Sequence, residues 1–243
     1  MKRFLLCLSA ICVATMLRAQ SGQCGPNLYW SIDQNTRTLK ISGSGPMARY
    51  GQFKAPWYQY RQNIYYIVFD GSPTSLGFNA FLGLSNCWSI TVPNSITSLN
   101  KALLRTSFKE IYLPASISFI EKGEFAFNFS LQAIHVDKNN PYFCSENGVL
   151  FDKSKTKLIH YPNAKSDASY TIPSTVTYVE CFFNKYILSL TIPRSVVSIT
   201  GDMIGEYACP NLQTIYYEDG FNPLLVYGGQ KPHGQINFVR LSR

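Results

Sequence analysis

A short apolar motif that ends in proline repeats along most of this sequence. The four clearest copies begin at Ile90, Ile111, Tyr170 and Leu190. The prolines of adjacent copies lie 20 or 21 residues apart. A unit this short cannot bury its apolar side chains alone, and it becomes stable only by stacking on further copies. The period therefore predicts a repeat solenoid, in which the core runs along an axis.

Each copy has the alternation of a short β-strand. An apolar residue, an outward residue and a second apolar residue precede the proline, which ends the strand because it has no N–H to donate. Weaker copies at residues 64–69, 131–136 and 212–217 bring the total to seven. Stacked coils place these strands side by side in a parallel sheet. Aromatic residues such as Phe81, Phe125 and Phe127 are expected to fill the far side of the coils.

Two further segments have the pattern of β-hairpins. Apolar and polar residues alternate at 28–32 and 39–41 around a polar turn at 33–36. A second polar turn at 152–156 separates the apolar runs 148–151 and 157–160. We expect the first hairpin to shield the end of the solenoid and the second to pack on its side.

The repeat resembles the BspA-like leucine-rich repeat of bacterial surface proteins, whose coils read approximately L-x-x-I-x-I-P-x-S-V-x-x-I-x-x-x-A-F. The resemblance covers about residues 24–217, and both hairpins are similar to segments of that family. It implies a leucine-rich repeat solenoid with short parallel strands stacked in one sheet, and a role in adhesion to host matrix proteins or to other bacteria. The family often closes a coil with cysteine, and here only Cys209 stands at that position. The equivalent positions hold Leu84, Arg105, Asn128 and Asn184.

The N-terminus has the layout of a secretory signal. Lys2 and Arg3 precede an apolar run at 4–17, and the small residue Ala19 marks the expected cleavage point. The apolar run of about 14 residues is shorter than the roughly 20 that cross a bilayer. We expect secretion or display at the cell surface, with the periplasm as the alternative, and no transmembrane segment in the mature chain. The predicted organisation is a signal peptide at 1–19, an N-terminal β cap at 20–60, the solenoid at 61–220 with its hairpin insert near 137–165, and a C-terminal cap or tail at 221–243.

The composition excludes a disordered chain, and the charge gives little support to a polyanion partner. The chain is 46% hydrophobic and 15% charged, which excludes a disordered chain. Without residues 1–19, 19 Lys and Arg oppose 14 Asp and Glu, a net charge of +5. The densest basic group is Lys153, Lys155 and Lys157, which alternates with Ser and Thr in the predicted turn. We interpret it as a solvated hairpin tip, and we expect no nucleic-acid partner.

The cysteines and histidines do not form a pattern typical of chemistry. Five cysteines follow the signal segment, an odd number at irregular spacing, and no pairing is predicted. Neither C-x-x-C nor H-x-x-x-H occurs, so no metal and no cofactor are expected. Cys144 with a histidine and an acid could be drawn as a triad, yet no nucleophile motif surrounds it or any of His135, His160 and His233. We therefore predict a protein that is not an enzyme, with Cys87, Cys181 and Cys209 as core residues, and we regard the sequon at Asn128 as incidental.

Outward positions of the strands form the candidate binding surface. The central residue of each strand projects away from the core, and stacking aligns these residues into a ladder. The predicted ligand-binding residues are Tyr66, Val68, Trp88, Thr91, Lys109, Tyr112, His135, Thr171, Thr191 and Tyr216. The alternative for the aromatic members is that they only pack on one another across strands. The sequence thus predicts a binding protein or adhesin for an extracellular protein or glycan, such as a host matrix protein. A structural or assembly module is the alternative, and the oligomeric state is left open.

Overall fold

The computed structural model of this chain describes residues 20–200, 208–227 and 236–241. The predicted signal peptide and the histidine at 233 lie outside these residues. The strands are β1 (Gln20–Gly25), β2 (Asn27–Asp33), β3 (Thr38–Pro46), β4 (Tyr66–Ser75), β5 (Ser89–Thr91), β6 (Ser98–Leu99), β7 (Glu110–Leu113), β8 (Phe119–Ile120), β9 (Ala133–Val136), β10 (Phe143–Glu146), β11 (Val149–Asp152), β12 (Lys157–His160), β13 (Ser169–Thr171), β14 (Tyr178–Val179), β15 (Ser189–Ile192), β16 (Ser198–Ile199), β17 (Thr214–Glu218) and β18 (Asn237–Leu241). Two short 3₁₀ helices lie at Tyr58–Asn63 and Pro223–Tyr227.

A four-stranded sheet forms the N-terminal end of the molecule. Strands β1, β2 and β3 pair antiparallel, and the alternating side chains Leu28, Trp30 and Ile32 are buried as the sequence predicts. The turn at Asp33 is held by its carboxylate, which accepts hydrogen bonds from the backbone N–H groups of Asn35 and Thr36. Strand β4 then pairs parallel with β3. The first of the seven predicted copies, residues 64–69, therefore joins the N-terminal sheet instead of the sheet of the following coils.

The next coils stack as parallel strands on two faces. Strands β5, β7 and β9 form one sheet, and β6 pairs with β8 on the adjacent face. After Pro93 the chain turns, and the carbonyl of that proline accepts a hydrogen bond from the N–H of Ile96 at 3.0 Å. The same bond closes the turns that begin at Pro114, Pro173 and Pro193. In these four coils a proline thus ends the strand and opens the turn to the second face.

The inserted hairpin is confirmed, and its position differs from the expectation. Strands β11 and β12 pair antiparallel, as the alternation predicts, and β10 pairs antiparallel with β11. Strand β12 then pairs parallel with β14, and β14 pairs with β16, so the hairpin lies in line with the solenoid and extends one of its faces. We expected it to pack on the side. Both faces of β11 are buried, because Val149, Leu150 and Phe151 all contact the core.

The second group of coils forms a parallel sheet in the order β13, β15, β17 and β18. The last strand shows that residues 237–241 of the predicted cap or tail continue the sheet. Arg240 and Asp219 form an ion pair at 2.5 Å beside it. The solenoid of stacked parallel strands is therefore confirmed, while its outer sheet is divided in two by the hairpin.

The core consists of the inward residues of each strand and a layer of aromatic side chains. Phe81 and Phe125 are buried on the far side of their coils, as predicted. Phe127 is not, since half of its side chain is exposed. Trp57 connects the N-terminal sheet to the first coil through a hydrogen bond from its indole N–H to the carbonyl of Ala80, at 2.7 Å. Over the described residues, no helix has the length and apolar character to cross a membrane.

Candidate functional site

Three of the predicted ligand-binding residues lie side by side in the first coil sheet. Thr91 on β5 pairs in register with Tyr112 on β7, which pairs with His135 on β9. The flanking residues of each strand face the core, so these three side chains project from the outer face. We call these three residues a rung of the ladder; the spacing of the repeats predicted that they lie side by side.

Two stacked rings and a carboxylate form the centre of this rung. The rings of Tyr112 and His135 lie 4.6 Å apart between centroids, at 17°. The Tyr112 hydroxyl donates a hydrogen bond to the carboxylate of Glu110, and this bond raises the pKa of the phenol. Nε2 of His135 lies 3.7 Å from the same carboxylate. The rings do pack on each other, as the alternative proposed, yet Tyr112 remains 38% exposed.

A groove of about 410 Å³ opens at the carboxyl ends of these strands. Its walls contain the three rung residues and the residues that follow them in each strand. The further lining residues are Val92, Pro93, Asn94, Leu113, Pro114, Val136 and Asp137. The groove has the size and the largely apolar lining, with a few polar groups, that small-ligand and side-chain pockets have.

Trp88 and Lys109 lie at the opposite, amino-terminal ends of the strands. The Lys109 Nζ atom is 4.3 Å from the centre of the Trp88 ring, a cation–π contact, and Trp88 is 61% exposed. The Trp88 carbonyl accepts hydrogen bonds from the N–H groups of Lys109 and Glu110, which fixes the two residues on adjacent coils. They therefore lie on the same sheet as the groove, at its other end.

The remaining predicted residues lie elsewhere. Thr171, Thr191 and Tyr216 are in register on the second coil sheet, next to Val239. Tyr66 and Val68 lie on β4 in the N-terminal sheet, where Val68 pairs with Lys40. The single predicted ladder is therefore three separate surfaces.

The hairpin is the reason for the break. The free edge of β9 is closed by the hairpin, since the N–H of Ile134 donates to the carbonyl of Gly148 at 2.9 Å. The N–H of Val136 donates to the Ser145 hydroxyl at 3.0 Å. Strand β13 therefore cannot pair with β9, and a new sheet starts there.

The comparisons with known proteins agree with this architecture. A family model described as a BspA type leucine-rich repeat region matches residues 53–168 with six copies. Residues 53–168 of this chain therefore form a BspA-type leucine-rich repeat region. Parallel stacking continues beyond the matched residues, because β13 and β15 pair parallel and in register.

The chain is also similar to several solved structures. A leucine-rich repeat protein from Eubacterium ventriosum is 23% identical, with a TM-score of 0.50, over 82% of this chain and 72% of that one. The pneumococcal vaccine antigen PcpA is 15% identical, with a TM-score of 0.43, over 92% and 88% of the two chains. A leucine-rich cell surface protein from Faecalibacterium prausnitzii is also 15% identical, with a TM-score of 0.42, over 92% and 95%. No curated protein matches the sequence.

Two of the four positions at which this chain lacks the closing cysteine hold buried asparagines, Asn128 and Asn184. The Asn184 amide donates to the carbonyls of Pro162 and Lys165, both at 2.8 Å, and its oxygen accepts from the N–H groups of Tyr186 and Ile187. Asn128 is equally buried, and its amide nitrogen donates to the carbonyl of Leu103 at 2.8 Å. This nitrogen is the one that a glycan would occupy, so the sequon at Asn128 is closed in the folded protein.

The thiols of Cys87 and Cys181 and the imidazole of His160 lie in environments that disfavour reactivity. Cys87 and Cys181 are buried as predicted, and burial raises the pKa of each thiol to about 12. The Cys144 thiol contacts the carbonyl of Asp152 at 3.3 Å. His160 is buried against Phe125, and burial lowers the pKa of its imidazole to about 4. Within the described residues, no three metal-binding side chains lie together.

Sequence reasoning missed the residues that give the groove its walls. We assigned Pro93 and Pro114 only the role of ending strands, although both line the groove. Glu110 holds the phenol of Tyr112, and Asp137 closes one side. The signal for all four was present, since each is within two residues of a predicted ladder position.

Proposed function

We propose that this BspA-type protein is an exported, non-catalytic binding protein that recognises an extracellular protein or glycan through the groove of its first coil sheet. The observation that most directly supports this proposal is that Thr91, Tyr112 and His135, which were selected from the repeat alone, line one groove in the structure. Repeat solenoids present extended surfaces of this kind for recognition.

The lining supports a binding role by its chemistry. Tyr112 presents a rigid, half-exposed ring whose orientation is fixed by its stack on His135 and its bond to Glu110. Rigid aromatic side chains provide contact area at a low cost in conformational entropy. Asn94, Asp137 and Thr91 add polar groups at the rim, which is where orientation and specificity arise.

The test is an array of glycans and extracellular matrix proteins, followed by two variants. We expect Tyr112→Ala, in the groove, to weaken binding of an array hit by about tenfold or more, as at a protein hot spot. Trp88→Ala should weaken it as well only where the ligand extends to the amino-terminal ends of the strands. Because both side chains are substantially exposed, the melting temperature should change little.

Phe119→Ala provides the matched control. The exposure of Phe119, 52%, lies between those of Tyr112 and Trp88, but Phe119 is on β8, on the adjacent face of the solenoid. Binding by this variant should equal that of the wild type. An array without a hit, or loss of folding in Tyr112→Ala, would remove the support for the groove as the binding site.

A further inference from the structure

A second surface runs along one corner of the first coils. Residues 22 positions apart adopt the same left-handed backbone conformation there: Gly83, Arg105 and Phe127, with φ values of 75°, 55° and 60°. In a stacked solenoid, equivalent residues of successive coils lie next to one another. The three residues therefore form a column along the axis, and Arg105 donates its backbone N–H to Ala126, beside Phe127.

Aromatic rings continue this column at both ends. Gly83 lies beneath Tyr58, because a Cβ atom on the glycine would be 3.0 Å from Cε2 of that ring. Phe53 packs on Tyr58 with 5.0 Å between ring centroids. At the other end, Phe127 and Phe129 form an edge-to-face pair at 6.2 Å. We call this set the corner stripe; it consists of Phe53, Tyr58, Arg61, Arg105, Phe127 and Phe129.

The stripe carries positive charge that no carboxylate neutralises. The Arg61 guanidinium lies 4.4 Å from the centre of the Tyr58 ring, and that of Arg105 lies 5.1 Å from the centre of Phe127. Neither forms an ion pair within the described part of the chain, whereas nearby Lys101 pairs with Glu121 at 3.0 Å. One N–H group of Arg61 also donates to the carbonyl of Tyr58 at 3.3 Å. The other N–H groups of the two guanidiniums are available for a carboxylate.

Exposure and backbone strain distinguish these side chains from packing residues. Phe53, Phe127 and Phe129 are 45%, 50% and 64% exposed. Phe53, with φ of 61°, and Phe127 both hold bulky side chains in a conformation that glycine adopts without cost. Gly83 shows that a glycine fits this column. Strain that burial does not offset is typical of functional surfaces.

We propose that the corner stripe is a docking surface for a segment of a partner protein that carries acidic and large apolar side chains. Acidic groups would bind the remaining N–H groups of Arg61 and those of Arg105, and apolar side chains would pack on the exposed edges of the phenylalanines. A protein fits better than a glycan, because the arginines occupy ring faces on which a sugar would stack. This surface is distinct from the groove, and neither proposal depends on the other.

The probe is a displayed library of random twelve-residue peptides, selected on the purified protein and counter-selected on Phe127→Gly. Glycine suits the positive φ, so this variant removes the ring without adding strain. We expect the surviving peptides to be enriched in Asp and Glu together with Phe, Leu or Trp. A survivor measured by fluorescence anisotropy should bind Arg105→Asn and Phe127→Gly about tenfold or more weakly, since asparagine tolerates the same φ.

Arg194→Asn and Phe119→Ser are the matched controls, an exposed arginine and an exposed phenylalanine away from the stripe. Both should bind the peptide as the wild type does, and so should the groove variant Tyr112→Ala. Selection that yields no peptides, yields peptides without acidic enrichment, or yields peptides insensitive to Arg105→Asn would overturn the proposal. Loss of binding in Tyr112→Ala would assign the peptides to the groove.

Discussion

Two buried ionisable side chains have pKa shifts in opposite directions. Burial raises the pKa of Glu124 to about 7, although its carboxylate accepts hydrogen bonds from the N–H groups of Lys101 and Leu103. Burial lowers the pKa of His160 to about 4. Both groups therefore favour the neutral form in the folded protein. Each makes the free energy of unfolding depend on pH, with opposite sign.

From about pH 4.5 to 7 the folded protein keeps a proton on Glu124 that the unfolded chain releases, so this group lowers stability as pH rises. From about pH 4 to 6.5 the unfolded chain binds a proton on His160 that the folded protein does not, so this group raises stability as pH rises. The two slopes oppose each other between pH 4.5 and 6.5. We expect urea unfolding to give nearly constant stability over this window.

Single variants separate the two contributions. Glu124→Gln should leave a stability that increases with pH, and His160→Gln one that decreases, by up to about 1.4 kcal/mol per pH unit. The carboxyl groups of Asp33, Asp152 and Asp219, with lowered pKa values, act below this window. A profile that neither variant changes would show that other groups control the pH dependence.

At the scale of elements, the hairpin determines the arrangement of the sheets. Its turn residue Gly148 has φ of 81° and lies against β9, where a Cβ atom would be 2.8 Å from Cβ of Ala133. The glycine allows the turn to approach closely enough for its carbonyl to accept the N–H of Ile134. This contact closes one coil sheet, and β12 begins the pairing that leads to the next coils.

The alternation of single segments predicted the longer repeat strands and the two hairpins, because burial of one face is a local property of the sequence. Examples are the strands of Ile90 and Ile111, the inserted hairpin of β11 and β12, and the N-terminal hairpin of β2 and β3. The alternation did not predict β1, β10, β18 or the two-residue strands β6, β8, β14 and β16. The edge on which an insert docks depends on contacts between segments far apart, such as that of Gly148 with Ala133, and the period does not encode them. The sequence also predicts Phe127 in the core, which is wrong. The motif does not encode the positive φ that this residue adopts at the corner of the coil.

Gly148→Ala should destabilise the protein by about 1–3 kcal/mol, because the new methyl group meets Ala133 and the residue keeps a positive φ. Gly51→Ala is the matched control. Its Cβ would meet only the flexible side chain of Lys54, at 3.4 Å. Thermal unfolding followed by circular dichroism measures both. Equal stability of the two variants would show that the contact between the turn and β9 is not required.

At the scale of the whole molecule, most of the buried apolar side chains in the described residues form two clusters that meet at the hairpin. Leu150 and Ile159 belong to the cluster of the N-terminal half, whereas Val149, Phe151 and Leu158 belong to that of the C-terminal half. Repeat proteins unfold cooperatively only as far as neighbouring units stabilise each other. Strands β11 and β12 each contribute side chains to both clusters, so they provide an interface through which one half stabilises the other. The two halves are therefore expected to unfold together.

The positions of the tryptophans allow this coupling to be measured. Trp30, Trp57 and Trp88 all lie in the N-terminal half, so their fluorescence reports on that half alone, while circular dichroism reports on both. Leu190→Ala removes a buried side chain from the C-terminal cluster and should cost about 2–5 kcal/mol. If the hairpin couples the halves, both signals shift together to lower urea concentration. In Leu190→Ala combined with Gly148→Ala, the dichroism transition should begin before the fluorescence transition. Fluorescence unaffected by Leu190→Ala alone would show that the halves unfold independently and that the hairpin does not transmit stability.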